Sequence, residues 1–106
     1  MNDVIPFRVK QQKSIPRTGG GTLYPHEINE LQDAGAYLIP LANSLPAEHR
    51  IRIILLDTFS AFEPSLPRSG TDLIRNVDGT STVINFDGNV RVDLEIITNG
   101  VDEWRT

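Results

Sequence analysis

A chain of 106 residues with a formal net charge of −4, 23% charged residues and no cysteine has the size of one domain with one core. The missing cysteines exclude disulfide staples, thiolate nucleophiles and the usual structural zinc sites, so stability rests on core burial, sheet pairing or subunit association. No apolar run approaches the ~18–20 residues of a membrane span, and Met1-Asn2-Asp3-Val4 lacks the basic start and apolar stretch of a secretory signal, so the chain is expected to fold where it is made, with no membrane partner.

The charge is uneven. Arg8, Lys10, Lys13 and Arg17 against Asp3 leave residues 1–24 at +3, so the remainder carries −7 of the total −4. A basic arm before an acidic body can be steered onto an acidic neighbour. Four cations spread over so many positions, with Phe7 the only aromatic among them, fall short of a nucleic-acid patch, and no nucleic-acid partner is expected.

In chain order, "VIPFRVK" at 4–10 alternates Ile5, Phe7 and Val9 with Pro6, Arg8 and Lys10, the period of an extended strand that Pro6 confines to an edge. "QQKSIPRTGGGT" reads as a linker, so residues 1–24 form an extended arm and 25–106 the body. The arm residues Ile5, Phe7, Arg8, Val9, Lys10, Lys13 and Arg17 are the expected partner-binding set. "PHEINELQD" at 25–33 predicts one short helix, with Pro25 in its first turn, Ile28 and Leu31 three apart, and Gly35 to end it.

From Ala36 the pattern is β: short β-branched runs at 36–41, 49–56, 72–75, 81–86, 90–98 and 102–105, divided by turn residues. Val92, Leu94 and Ile96 oppose Arg91, Asp93 and Glu95, which marks a half-buried strand. In 50–56, Ile51, Ile53 and Leu55 make one face, while Ile54 and Leu56 on the other need cover. Asp78-Gly79, Asp87-Gly88 and Asn99-Gly100 predict hairpins, and residues 58–70, with Phe59 and Phe62, predict an ordered contact loop. Trp104 near the end of the chain predicts a last strand locked into a sheet.

No catalytic pattern emerges. Gly19-Gly20-Gly21-Thr22 lacks the strand, helix and Lys-Ser/Thr pair of a phosphate loop and reads as a hinge. Neither His26 nor His49 has a second histidine at i+4, and His49 beside Arg50 and Arg52 reads as a surface residue. Asp57, Asp72, Asp78, Asp87, Asp93, Glu95, Asp102 and Glu103 take turn and surface roles, with neither a calcium-loop spacing nor a defined glycosidase pair. There is no Gly-x-Ser-x-Gly elbow, and no cofactor or metal is expected.

The order of features from Tyr37 onward resembles a small β module found repeatedly in tailed-bacteriophage virion proteins, including tail fibres, tailspikes, head fibres and capsid decoration proteins. The matching features are the apolar-proline strand Tyr37 to Leu41, then Pro46-Ala47, and the alternating Ile51-Arg52-Ile53 ending at Asp57. They continue with Asp72-Leu73-Ile74, Thr82-Val83-Ile84, Gly88-Asn89-Val90 with Val92 and Leu94, and Gly100 to Trp104, together about two-thirds of the chain. The family's Pro-Ala-Gly is Pro46-Ala47-Glu48 here, a departure that argues against a tight positive-φ turn at that point. The strand after Gly88 is also longer and more charged than is typical of the module.

The resemblance implies an all-β, jelly-roll-like sandwich, a homotrimer that buries Ile54, Leu56, Phe59 and Phe62 between subunits, and a virion location after synthesis in the host cytoplasm. A free-standing module with a basic arm points to a non-enzymatic capsid decoration or cement protein bound to the major capsid protein or another virion protein. The rival expectations are a small tail, neck or fibre-anchor component, a host-glycan-binding module using Tyr24, Tyr37, Phe59, Phe62 and Trp104, and, last, a glycan-degrading enzyme.

Overall fold

The computed structural model describes residues 13–55, 63–77, 79–86 and 92–106. They form β1 (Ser14–Arg17), β2 (Gly21–Thr22), β3 (Ile28–Leu31), β4 (Tyr37–Leu38), β5 (Arg50–Leu55), β6 (Ser65–Pro67), β7 (Leu73–Asn76), β8 (Gly79–Ser81), β9 (Val83–Asn85), β10 (Val92–Thr98) and β11 (Glu103–Arg105). The all-β expectation holds: the one helical element among these residues is a single 3₁₀ turn at Ala42–Ser44.

The larger sheet runs β1-β3-β5-β10-β11-β7-β8 and is mixed, with β1/β3, β3/β5 and β11/β7 parallel and the other neighbours antiparallel. Register places Ile51 opposite Ile96, Ile53 opposite Leu94 and Leu55 opposite Val92, so every second side chain of β5 and β10 enters one core. Trp104, paired with Thr98 and Ile74, is fully buried, and its indole N–H donates to the Pro40 carbonyl at 3.0 Å, as the locked last strand requires.

A second layer covers that core. Leu23 N donates to Leu38 O, Ile39 N to Pro67 O and Ser65 N to Gly35 O, which strings β2, β4, β6 and β9 side by side. Leu23, Tyr37, Ile39 and Leu66 from this layer share one buried cluster with Leu31, Ile51, Ile53, Leu55, Ile74, Ile96 and Trp104 from the larger sheet. On one side the two layers are joined by the chain itself: β8 bonds to β7, and beyond Thr82, whose carbonyl accepts Arg68 N–H, β9 bonds to β6.

Four expectations are corrected. Residues 25–33 do not form a helix: after a turn at 25–27 the chain enters β3, with Asn29 and Leu31 facing the core. The segment 11–22, read as a linker, contributes β1 and β2 to the body, so the body begins well before residue 25. The loop 58–70 contains β6, and Glu48 takes φ +70°, so the positive-φ turn forms without glycine. Of the hairpins, β7/β8 reverses between Asn76 and Gly79, whereas Asn99-Gly100 opens a longer loop between the paired Thr98 and Trp104. In that loop Asn99 Oδ1 accepts the amides of Val101, Asp102 and Glu103, and a Cβ on Gly100 would meet Ala47 N at 2.8 Å. The Asp87-Gly88 hairpin lies outside the described residues.

Candidate functional site

On the side of the body opposite Thr82 no strand among the described residues joins the layers, and a cluster of polar side chains lies there. Lys13 O and Arg17 O accept from Ile28 N and Gln32 N, so Lys13, Ile15 and Arg17 bond inward to β3 while Ser14 and Pro16 turn their backbones outward. Pro16 therefore stands where its missing N–H costs the ladder nothing, and it blunts that edge against further strands. Across the gap, β2 bonds to β4 through Gly21 and Leu23, which leaves Thr22 O and the backbone of Tyr24 without a strand partner among the described residues.

Two core-facing side chains supply what the missing strand would. Asn29, fully buried, accepts Tyr24 N–H on Oδ1 at 2.9 Å and donates Nδ2 to Tyr24 O at 3.0 Å, gripping both backbone groups as a neighbouring strand does. Arg17, 6% exposed, donates Nη2 to Thr22 O at 2.9 Å and Nη1 to Asn29 Oδ1 at 2.8 Å. Its guanidinium carbon lies 4.0 Å from the Tyr24 ring centre and 5.4 Å from that of Tyr37, so ring faces and carbonyls hold the charge. Arg17 was expected on a free arm; it is instead a seam residue of the body, because a strand edge facing the core needs a long, many-donor side chain.

The glycine-rich loop is closed by the same network. Gly19, Gly20 and Gly21 all have positive φ, and a Cβ on Gly20 would meet Ala36 O at 2.8 Å. Asp33 accepts Gly19 N–H on Oδ2 at 2.6 Å and Gly35 N–H on Oδ1 at 3.0 Å, and the Tyr37 hydroxyl donates to Asp33 Oδ1 and lies 3.1 Å from Arg17 O. An internal carboxylate thus occupies the Gly19 amide of the loop. The Tyr37 hydrogen bond and the Gly19 amide hold the Asp33 carboxyl below its ordinary range, while burial, then the Asp33 hydrogen bond, pushes the Tyr37 hydroxyl up to about 12.

The outer face of the larger sheet carries Arg50–Glu95 at 2.7 Å, a two-pronged Arg52–Asp93 pair at 2.9 and 2.6 Å, Arg75–Glu103 at 2.9 Å and Arg105–Glu48 at 2.9 Å. Arg52 holds the Asp93 carboxyl below its ordinary range. Ile54 lies on this face, half-buried, with Glu30 and Asp93 as its register partners. His49 is half-buried rather than a free surface residue: its Nε2 lies 2.6 Å from Pro25 O and its ring meets His26 edge to face, centroids 5.1 Å apart. Asp72 is buried and accepts Ala42 N–H at 2.8 Å, starting the 3₁₀ turn. Among the described residues no three His, Cys, Asp or Glu side chains gather as a metal site.

Of the expected partner-binding set, Lys13 is exposed at the start of β1 and Arg17 is buried, while Ile5, Phe7, Arg8, Val9 and Lys10 lie outside the described residues, as do Leu56, Phe59 and Phe62 of the expected subunit interface. Asn29, Asp33 and Tyr37 were not singled out by sequence as a group. The signal available was Asn29 at an alternate position to Leu31 and next to Ile28, a polar residue where a strand reading would put a core side chain. Comparison with known proteins finds no matching family model, no matching curated protein and no matching solved structure.

Proposed function

We propose that this chain is a non-enzymatic structural protein of a tailed-bacteriophage virion, a decoration protein whose trimers bind the assembled major capsid shell. The observation that carries the reading is the order of features from Tyr37 to Trp104, with Trp104 seated as the fully buried centre of the final hairpin. A jelly-roll-like topology belongs to the same reading, supported by the antiparallel β5-β10-β11 centre; the parallel flanks β1/β3/β5 and β11/β7 are departures from it.

The body suits such a role physically. Its layers are joined by Thr82 on one side and by Arg17 and Asn29 on the other, and its outer face is covered by ion pairs that neutralise one another. Burying that face in a trimer would strip solvent from those pairs at a cost their attraction need not return, which weighs against Ile54, on the same face, as a subunit contact. The glycan-binding rival is weakened, since Tyr37 and Trp104 are buried and, of its described candidates, only Tyr24 is exposed, while Phe59 and Phe62 lie outside the described residues. With Arg17 committed to the body, the basic segment available to a partner is 1–13.

Capsid binding is the test. Added to bare expanded capsids, the protein should bind saturably and raise the capsid melting temperature, and a variant lacking residues 1–12 should stay folded and lose attachment. Absence of binding to expanded shells would overturn the reading in favour of a tail or neck location, and undiminished binding by the truncated form would remove the arm from the mechanism.

A further inference from the structure

The geometry of β1 points to an exchangeable strand. We infer that two copies of this chain can trade residues 13–17, each placing its Arg17 between Thr22 O and Asn29 Oδ1 of the other copy. The inference rests on the body alone and not on the virion reading.

Three observations carry it. First, among the described residues β1 bonds to β3 only, over four residues, and sits at the end of the larger sheet, so it can leave without breaking any other strand pair described. Second, everything that receives β1 belongs to residues beyond the hinge: the β3 ladder, Asn29, Thr22 O, and the Tyr24 and Tyr37 rings. A second copy presents that socket unchanged, so exchange conserves each β1 contact while the hinge is the one part that differs.

Third, the hinge is tight. Gly19, Gly20 and Gly21 stand at φ +79°, +79° and +103°, a left-handed run that turns the chain from β1 back to β2 and that residues other than glycine resist. In the exchanged form the same residues run extended and that demand disappears. Asp33 holds the turned form by accepting the hinge's Gly19 N–H, which favours the closed monomer in the native sequence. Hinges that resist turning back are the known route to exchange.

Gly19→Ala is the sharpest probe, because a Cβ there meets nothing within 4 Å and the only penalty is the positive φ. A second variant deletes Gly19 and Gly20, which leaves too little chain to turn and spares Gly21, which pairs β2 with β4. Both are combined with Ser14→Cys and Ile28→Cys, register partners across β1 and β3 in a chain with no native cysteine. With the native hinge, oxidation at low concentration should give a covalent monomer. The deletion variant should give a disulfide-linked dimer, and Gly19→Ala a mixture whose dimer share rises severalfold between dilute and concentrated samples. Adding Arg17→Ala to the deletion variant, whose alternative is an open monomer, should reduce the dimer share, since an empty socket then forfeits less. The inference is overturned if either hinge variant closes its disulfide within one chain at every concentration, or if β1 fails to cross-link while circular dichroism shows the remaining strands folded.

Discussion

Arg17 is a buried cation to which no carboxylate bonds among the described residues, and its neutralisation depends on fork geometry: one prong on Thr22 O, one on Asn29 Oδ1, and two rings against its faces. Lysine carries the charge but not the fork, so it cannot satisfy both acceptors or stack in the plane. Arg17→Lys should therefore lower stability by about 1–3 kcal/mol, the cost of a buried acceptor left unpaired, read as a shifted urea midpoint with an unchanged slope. Tyr37 adds a pH signature. Its folded pKa, raised to about 12 from an ordinary 10, means the unfolded chain loses the proton first, so its contribution is complete below pH 10 and drains away as the pH rises through 12. Tyr37→Phe should cost stability at pH 7 and flatten the fall between pH 10 and 12; an equally steep fall in the variant would place the alkaline transition elsewhere. Asp33 has the opposite sign: its lowered pKa gives support above the ordinary carboxyl range that is lost as the pH drops below it.

At the scale of elements, legibility followed the chemistry of the inward positions. β5 and β10 were readable because Ile51, Ile53 and Leu55 and then Val92, Leu94 and Ile96 are all apolar and alternate with charges. β3 was not, because one of its two core positions is Asn29; with that residue discounted, Ile28 and Leu31 read as a helical i, i+3 pair. β1 was hidden for the same reason by Arg17, and its four residues "SIPR" offer no apolar period at all. The seam was thus illegible because the residues that seal it are polar ones at core positions, each meaningful only beside a strand edge distant in sequence. Glu48 shows a different failure: its positive φ is imposed by the corner, where Glu48 N–H donates to Thr98 O at 2.8 Å. Glu48→Gly and Glu48→Ala both lose the exposed Arg105 ion pair, so comparing them isolates the backbone. The glycine variant should be the more stable by about 1 kcal/mol, the left-handed cost to an L side chain less the glycine entropy penalty; equal melting temperatures would mean the corner relaxes.

For the whole molecule, the decisive question is where the folding unit starts. The described core closes on itself: the buried apolar cluster draws all its members from Leu23 to Trp104, and the two sides of the body are sealed by Thr82 and by Arg17 with Asn29. Lys13 already supplies the first ladder acceptor, so a chain beginning at residue 13 retains every hydrogen bond of β1 to β3. Deleting residues 1–12 should shift the melting temperature by no more than a few degrees, which for a domain of this size corresponds to under about 1 kcal/mol. Deleting residues 1–17 removes the Arg17 prongs from Thr22 and Asn29 together with the β3 edge pairing, and should lower it by far more. The contrast between the two truncations fixes the boundary between body and arm independently of any partner. A large loss on deleting 1–12 alone would place part of the stabilising structure within those residues, and the arm could then no longer be removed as a clean test of attachment.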